Sequence, residues 1–325
     1  MSRELFLKKS AVAGAGLMGS QISLVLAMGS EKTMLLSRRR ETLDAAENNL
    51  KRYASDLQRH DLLGGETPEA VLARIHTTTD LEEAVGEADY VVESISEVLE
   101  AKQELFARMD AIAPRQSVLA SNTSGLPISK LAERVEHKDR IAGAHFVQPG
   151  HIVPVVEVIR TPETSDAAMD RNCEVWERLD RMPLRCNKDI PGFMINRLQH
   201  AVIREAVALL ASGVADARSI DLAIQLGLGP RFTTAGPLEQ RDINGLTMHS
   251  QVATHLWQHL SGTDEALAYL QGMVARGETG LDSGKGYYDW SGKDAVAVRS
   301  DKDEQLLQRT RQVMEAWRES QKSQA

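Results

Sequence analysis

Aromatic residues make up only 4% of this 325-residue sequence, too few to build base-stacking platforms and unusual for an all-β sandwich. Cysteine is scarcer still: Cys173 and Cys186 match no zinc spacing and cannot make a disulfide framework. Long apolar runs are missing too, since the stretch of residues 22–29 falls far short of the ~18 residues that span a bilayer. The first ten residues, MSRELFLKKS, lack the charged-then-apolar layout of a secretory signal. Basic charge is in deficit: 38 Lys and Arg stand against 46 Asp and Glu, for a net charge of −8. That balance disfavours nucleic acid or an anionic membrane as partner. What these absences leave is the expectation of a soluble, cytoplasmic protein. At about 100–200 residues per domain, the length suggests two domains.

The first half alternates short apolar runs with helical patterns. Residues 11–13, 33–36, 90–92, 118–120, 141–144 and 155–159 have strand length and are separated by charged helical segments. That order predicts a mostly parallel, doubly wound α/β sheet. No helix fits between the last two runs, so they are expected to form a hairpin at the sheet edge. After KDIPGF the strand-like runs stop. Residues 194–211 then read as one helix, with Ile195, Leu198, Val202, Ala206, Leu209 and Leu210 along one side. The reading is therefore an α/β domain over 1–188 and an all-α domain over 189–325, whose last ten polar residues are expected to fray.

GAGLMG sets Gly14, Gly16 and Gly19 in the G-x-G-x-x-G pattern, after a strand and opening a helix. The glycines let a pyrophosphate approach the helix N-terminus, where the free N–H groups of Leu17, Met18 and Gly19 and the helix dipole favour an anion. An NAD site would then hold the ribose hydroxyls with an acidic residue about 20 positions on. Here the second strand runs instead into Ser37-Arg38-Arg39. Arginines suit a ribose 2′-phosphate, so NADP(H) is favoured over NAD(H), although a solvated basic run also fits.

His145 ends one strand, and Glu157 lies twelve residues on in the returning run VVEVI. A carboxylate inside an apolar run needs a partner. The hairpin can bring it to His145, where it would fix the imidazole tautomer and raise its basicity. A catalytic dyad and a merely structural pair both fit. Ser124 in SNTSG and Asn196 in KDIPGFMIN, taken alone, read as cap or turn residues. His151 reads as a solvated loop residue. No metal-ligand cluster is evident.

Five segments together resemble the 3-hydroxyacyl-CoA dehydrogenase family: VVESISEVLEAKQELF, SNTSGLPIS, GAHFVQPGHIVPVVEVI, KDIPGFMINRL and GLDSGKGYYDW. The resemblance implies an N-terminal Rossmann domain and a helical dimerisation domain of the 6-phosphogluconate dehydrogenase C-terminal type, hence a homodimer. It implies that His145 and Glu157 are the catalytic dyad, that Ser124 holds the reacting oxygen, and that Asn196 orients substrate and histidine. It sets Glu97 and Lys102 near the nicotinamide ribose and assigns Asn122 to the cofactor. The reaction implied moves a hydride between nicotinamide and the hydroxyl-bearing carbon of a 3-hydroxy acid or 3-hydroxyacyl substrate, with His145 handling the proton. The same machinery could reduce an imine, and a crystallin-like binding protein without activity is a further alternative. The four intact site residues argue against that last reading.

The sequence departs from the family where substrate is handled. Gln148-Pro149-Gly150-His151 replaces the usual Asn-Pro-Val-Pro. Residues 41–75, which face CoA in the family, hold four basic and seven acidic residues, a poor surface for a polyphosphate. LGLGPRFTTAGPLEQRDINGL resembles the lambda-crystallin and gulonate dehydrogenase branch, which acts on free hydroxy acids. Arg231 in that segment is therefore a candidate clamp for a substrate carboxylate, with a helix-capping surface arginine as the plainer reading.

Overall fold

The computed structural model describes residues 4–262 and 264–322. Eight strands form one sheet: β1 (Leu7–Ala13), β2 (Ser30–Leu36), β3 (Ile75–Thr78), β4 (Tyr90–Glu93), β5 (Val118–Ser121), β6 (Ile141–Phe146), β7 (Val155–Ile159) and β8 (Met182–Cys186). Their order is β3-β2-β1-β4-β5-β6-β7-β8, and every neighbouring pair is parallel except β6 and β7. Side chains alternate across the pleat. In β1, Ala11 and Ala13 enter one core while Val12 enters the other. On the Val12 face lie α1 (Leu17–Ala27) and α2 (Arg40–Arg59). In α2, Leu43, Ala46, Leu50, Tyr53, Ala54 and Leu57 are buried, the three-and-four spacing of one helical stripe. The helices Leu81–Val85 and Leu99–Ile112 line the opposite core.

Two strands were not legible as runs, and one of them moves the hairpin. β6 and β7 do pair antiparallel, but β8 adds to β7 in parallel, so the hairpin is not the edge. β8 carries Pro183 and Arg185, which disguise it. As the outermost strand it can spare the proline N–H that a central strand needs. β3, only four residues long, closes the other edge.

The chain divides into two compact units, and the division differs from the expected one at residue 188. One unit takes the residues through Asn196 together with those from Asp303 on; the other is Arg197–Lys302. The segment through Asn196 stays with the sheet because the amides of Met194 and Ile195 are tied to Glu157. From Asp303 on, the helix Ala295–Lys322 belongs to the sheet unit, where Leu307 is 1% exposed within the larger core and Glu304 lies 3.0 Å from His60 Nε2. The last helix runs through Lys322, and residues 323–325 lie outside the described residues. The second unit is built of helices, among them Ala217–Leu222, Pro237–Asn244, Leu246–Leu256 and Asp264–Ala275.

A buried polar group braces β6 from behind. The Tyr90 hydroxyl and the Trp176 indole (3.1 Å) both donate to Asn172 Oδ1, and Asn172 Nδ2 donates to the Gly143 carbonyl at 3.0 Å. With every partner satisfied, this network fixes the strand two residues before His145.

Candidate active site

In an open parallel sheet, ligands bind beyond the carboxyl ends of the strands where the strand order reverses. Here that point lies between β1 and β4. The β1–α1 turn is shaped for it. Gly14 has φ +119°, and a Cβ on it would lie 2.3 Å from the Ser94 carbonyl oxygen, so only glycine fits. A Cβ on Gly19 would meet the Gly14 carbonyl oxygen at 1.7 Å, which lets α1 pack close to the turn. A Cβ on Gly16 would meet nothing within 4 Å, so its smallness serves no contact inside the chain and leaves room for an approaching group. No side chain caps α1 and no acidic residue stands in its first turn, where Leu17, Met18 and Gly19 lie. An uncapped helix start beside open space fits a pyrophosphate.

On one side of this crevice β2 ends at Leu36, and Ser37 stands where a ribose-binding carboxylate would be. Arg38 and Arg39 are exposed and pair with no carboxylate among the described residues, whereas Arg40 reaches Asp44 at 3.3 Å. On the other side β4 ends in Glu93, a fully buried carboxylate that sequence reasoning passed over. Its signal was a charge closing the apolar run YVVE. Glu93 Oε1 accepts from the Ile95 amide and from Lys102 Nζ, both at 2.6 Å, and Oε2 accepts from the Ser121 hydroxyl at 2.6 Å. Lys102, 1% exposed, also lies 3.2 Å from Glu97 Oε2. Burial alone would raise the Glu97 carboxyl, but hydrogen bonds from Thr123 and the charge of Lys102 outweigh it and hold the group below the usual carboxylate range.

His145 and Glu157 face each other as a cross-strand pair of β6 and β7. His145 Nδ1 lies 2.7 Å from Glu157 Oε2, and the two residues are 3% and 0% exposed. A carboxylate on Nδ1 makes that nitrogen the donor, leaving Nε2 as the acceptor. Glu157 Oε1 accepts the amides of Met194 (2.8 Å) and Ile195 (2.9 Å), at the start of the helix Ile195–Ala211. Burial opposes the charge on Glu157, yet these bonds, with His145 foremost, hold its carboxyl below the usual range. Burial and that same charge push the Cys186 thiol up to about 11.

Ser124 follows β5, and its main chain is held from both sides. Its N–H donates to Glu97 Oε1 at 3.1 Å and its carbonyl accepts from Asn196 Nδ2 at 3.0 Å. Asn196 is thus hydrogen-bonded to the Ser124 main chain. Asn122 is a brace between strands: Nδ2 donates to Ser94 Oγ at 3.2 Å and Oδ1 accepts the Phe146 amide at 2.9 Å. Arg231 lies in the other unit, in the short helix Gly229–Phe232, exposed and without an ion pair among the described residues.

His151 corrects an expectation. It is 2% exposed rather than solvated, with its ring 4.3 Å from that of Tyr53 on α2. Its loop is pinned, since Gln21 Oε1 on α1 accepts the Gly150 amide at 2.7 Å and Arg181 donates to the carbonyls of His151 (2.9 Å) and Val153 (3.2 Å). Burial first, then the charges of Arg181 and Arg52, press the His151 pKa down to about 3. Among the described residues no group of three or more His, Cys, Asp or Glu could hold a metal ion, and no helix is long and apolar enough to cross a membrane.

The family described as 3-hydroxyacyl-CoA dehydrogenase, NAD binding domain, matches residues 9–190, and the family's C-terminal domain matches residues 192–290. Human mitochondrial hydroxyacyl-coenzyme A dehydrogenase is 33% identical over 89% of this chain and 93% of its own. Rabbit (Oryctolagus cuniculus) lambda-crystallin is 34% identical over 74% of this chain and 75% of its own. A solved structure of 5-formyl-3-hydroxy-2-methylpyridine 4-carboxylic acid 5-dehydrogenase, described as an NAD+-dependent dismutase, superposes with a TM-score of 0.87 at 26% identity. That match covers 95% of this chain and 99% of the other.

Proposed function

The chain belongs to the 3-hydroxyacyl-CoA dehydrogenase family, nicotinamide-dependent oxidoreductases acting on CH–OH, and from that premise we propose that it interconverts a free 3-hydroxy acid and its 3-oxo form, with His145 as base and acid. The observation that carries this reading is the buried 2.7 Å contact of His145 Nδ1 with Glu157, which leaves Nε2 to meet a substrate oxygen. In oxidation Nε2 takes the hydroxyl proton, and Glu157 stabilises the imidazolium that results. In reduction the imidazolium returns that proton to the carbonyl oxygen. Ser124, its backbone clamped by Glu97 and Asn196, presents its hydroxyl to the same oxygen. The coenzyme, when bound with its pyrophosphate at α1, accepts or supplies the hydride. The protein works in the cytoplasm on this reading, as a homodimer through its helical unit. In support, that unit exposes large apolar side chains such as Leu226 (71%), Leu238 (83%), Ile243 (72%) and Trp257 (64%), more than a monomer normally leaves in water.

Coenzyme choice rests on the β2–α2 turn. With Ser37 in place of a carboxylate and two unpaired arginines beside it, NADPH is expected to bind at least ~10-fold tighter than NADH, about 1.4 kcal/mol. Fluorescence titration with both coenzymes measures this. Equal affinities, or discrimination unchanged in Arg38→Ala, would reject the assignment.

Substrate choice rests on charge. Residues 41–75 carry more acidic than basic groups, Arg231 is unpaired, and the dehydrogenase with the 0.87 TM-score is named for a carboxylic acid. A free 3-oxo acid is therefore expected to be reduced with higher kcat/KM than its CoA thioester, and Arg231→Lys is expected to raise KM because an ammonium cannot reproduce a guanidinium fork. Faster turnover of the thioester, with no penalty from the substitution, would point to acyl-CoA substrates instead.

A further inference from the structure

Two carboxylates share one ammonium beneath the crevice. Lys102 Nζ stands 2.6 Å from Glu93 and 3.2 Å from Glu97. The Ile95 amide and Lys102 can only donate to Glu93, and an ammonium at 2.6 Å favours the carboxylate over the acid. Glu97 likewise accepts from Thr123, Ser124 and Lys102. The set therefore holds one negative charge in excess. Glu93 and Lys102 are sealed from water, while the Glu97 side chain is 44% exposed and carries the charge to the surface.

Its position is fixed by topology. Glu93 pairs with Ala13, the residue before the Gly14 turn, at the reversal of strand order. A dinucleotide lying across that point has its adenosine half toward β2, where Arg38 and Arg39 stand. Its other half lies over β4, β5 and β6, the strands that lead to Glu93, Ser124 and His145. The excess charge thus sits under the redox end of the coenzyme. Oxidised nicotinamide is a cation and reduced nicotinamide is neutral.

We propose that Glu93, Lys102 and Glu97 act as a fixed counter-charge that favours the oxidised nicotinamide over the reduced one, and so set the ratio in which the two forms bind. This rests on the reading of the crevice as a nicotinamide coenzyme site. Glu93 is a positioning residue here, holding Lys102 and the Ile95 turn while contributing half of the set's negative charge.

The test is the ratio of dissociation constants, oxidised over reduced, by equilibrium titration of NADP+ against NADPH and of NAD+ against NADH. Glu93→Gln and Glu97→Gln bring the set to neutrality and are expected to raise the ratio ~3–10-fold. Lys102→Met leaves two negative charges and is expected to lower it. The double variant Glu93→Gln/Lys102→Met has one negative charge again and should return to the wild-type ratio. Ser121→Ala removes a bond to Glu93 without changing charge and should leave the ratio alone. The idea is overturned if the variants shift both forms by one common factor, or if the ratio does not follow the charge count. Glu97 is half exposed, so Glu97→Gln keeps the test decisive should Glu93→Gln fail to fold. Failure of the wild type to bind any of the four coenzymes would instead reject the coenzyme site itself.

Discussion

Replacing His145 with alanine is expected to lower kcat by roughly 10²–10⁴-fold, the usual worth of a positioned general base. Coenzyme affinity should hardly change, because the imidazole acts on a proton and makes no bond to the β1–α1 turn. Glu157→Gln is the informative companion. An amide oxygen can still accept the Met194 and Ile195 amides, so the helix start keeps its anchor, but the negative charge facing His145 Nδ1 is gone. The imidazolium then loses its counter-charge, and the acid limb of the kcat profile for oxidation should move to lower pH. Steady-state kinetics from pH 5 to 9 on both variants, with coenzyme binding measured separately, checks each part. Near-normal turnover in His145→Ala would show the pair to be structural.

A second large effect concerns stability in acid. His151 binds its proton at about 3 in the folded protein, against 6.5 for an ordinary histidine. Between those values the unfolded chain holds the extra proton, so stability rises with pH through that window and is lost as pH falls from 6.5 toward 3. At pH 5 the loss from this one residue is about 2 kcal/mol relative to neutral pH, at 1.36 kcal/mol per unit. His151→Phe retains a ring to stack on Tyr53 and has no proton to take up. Urea unfolding at pH 7.5 and 5.0 should show the variant losing about 2 kcal/mol less than wild type over that interval. An identical pH dependence in both proteins would mean that the ring is hydrated or partnered when protonated.

The parts of the molecule that could be read from sequence are those with a local periodic signature. GAGLMG between a strand and a helix, the strand-length runs 33–36 and 90–92, and the twelve-residue return from His145 to Glu157 each carry their geometry in short-range spacing. The misses share another cause. β3 and β8 are short edge strands, where a proline or a charge is tolerated because one side of the ladder is open. Loop context reads His151 as solvated, and only the approach of Tyr53 and Arg181, distant in sequence, buries it. Glu93 goes unread in the sequence because its partners Lys102 and Ser121 come from two other elements. Burial of a polar residue is a long-range property, and spacing alone is silent on it.

The return of residues from Asp303 onward to the sheet unit has a consequence for how the chain is made. Everything needed for the eight strands has emerged by residue 196, yet Leu307 fills a place in their larger core and Glu304 approaches the end of α2. At about 5–20 residues per second, translation of the intervening helical unit takes roughly 5–20 s. Throughout that interval the nascent sheet carries an unfilled apolar seat that a chaperone, or a neighbouring nascent chain, can reach. The closing contact also has a large sequence separation, which slows its formation after release. Folding of the sheet unit is therefore completed after synthesis of the helical unit, by a segment that the ribosome delivers only once that unit has been made.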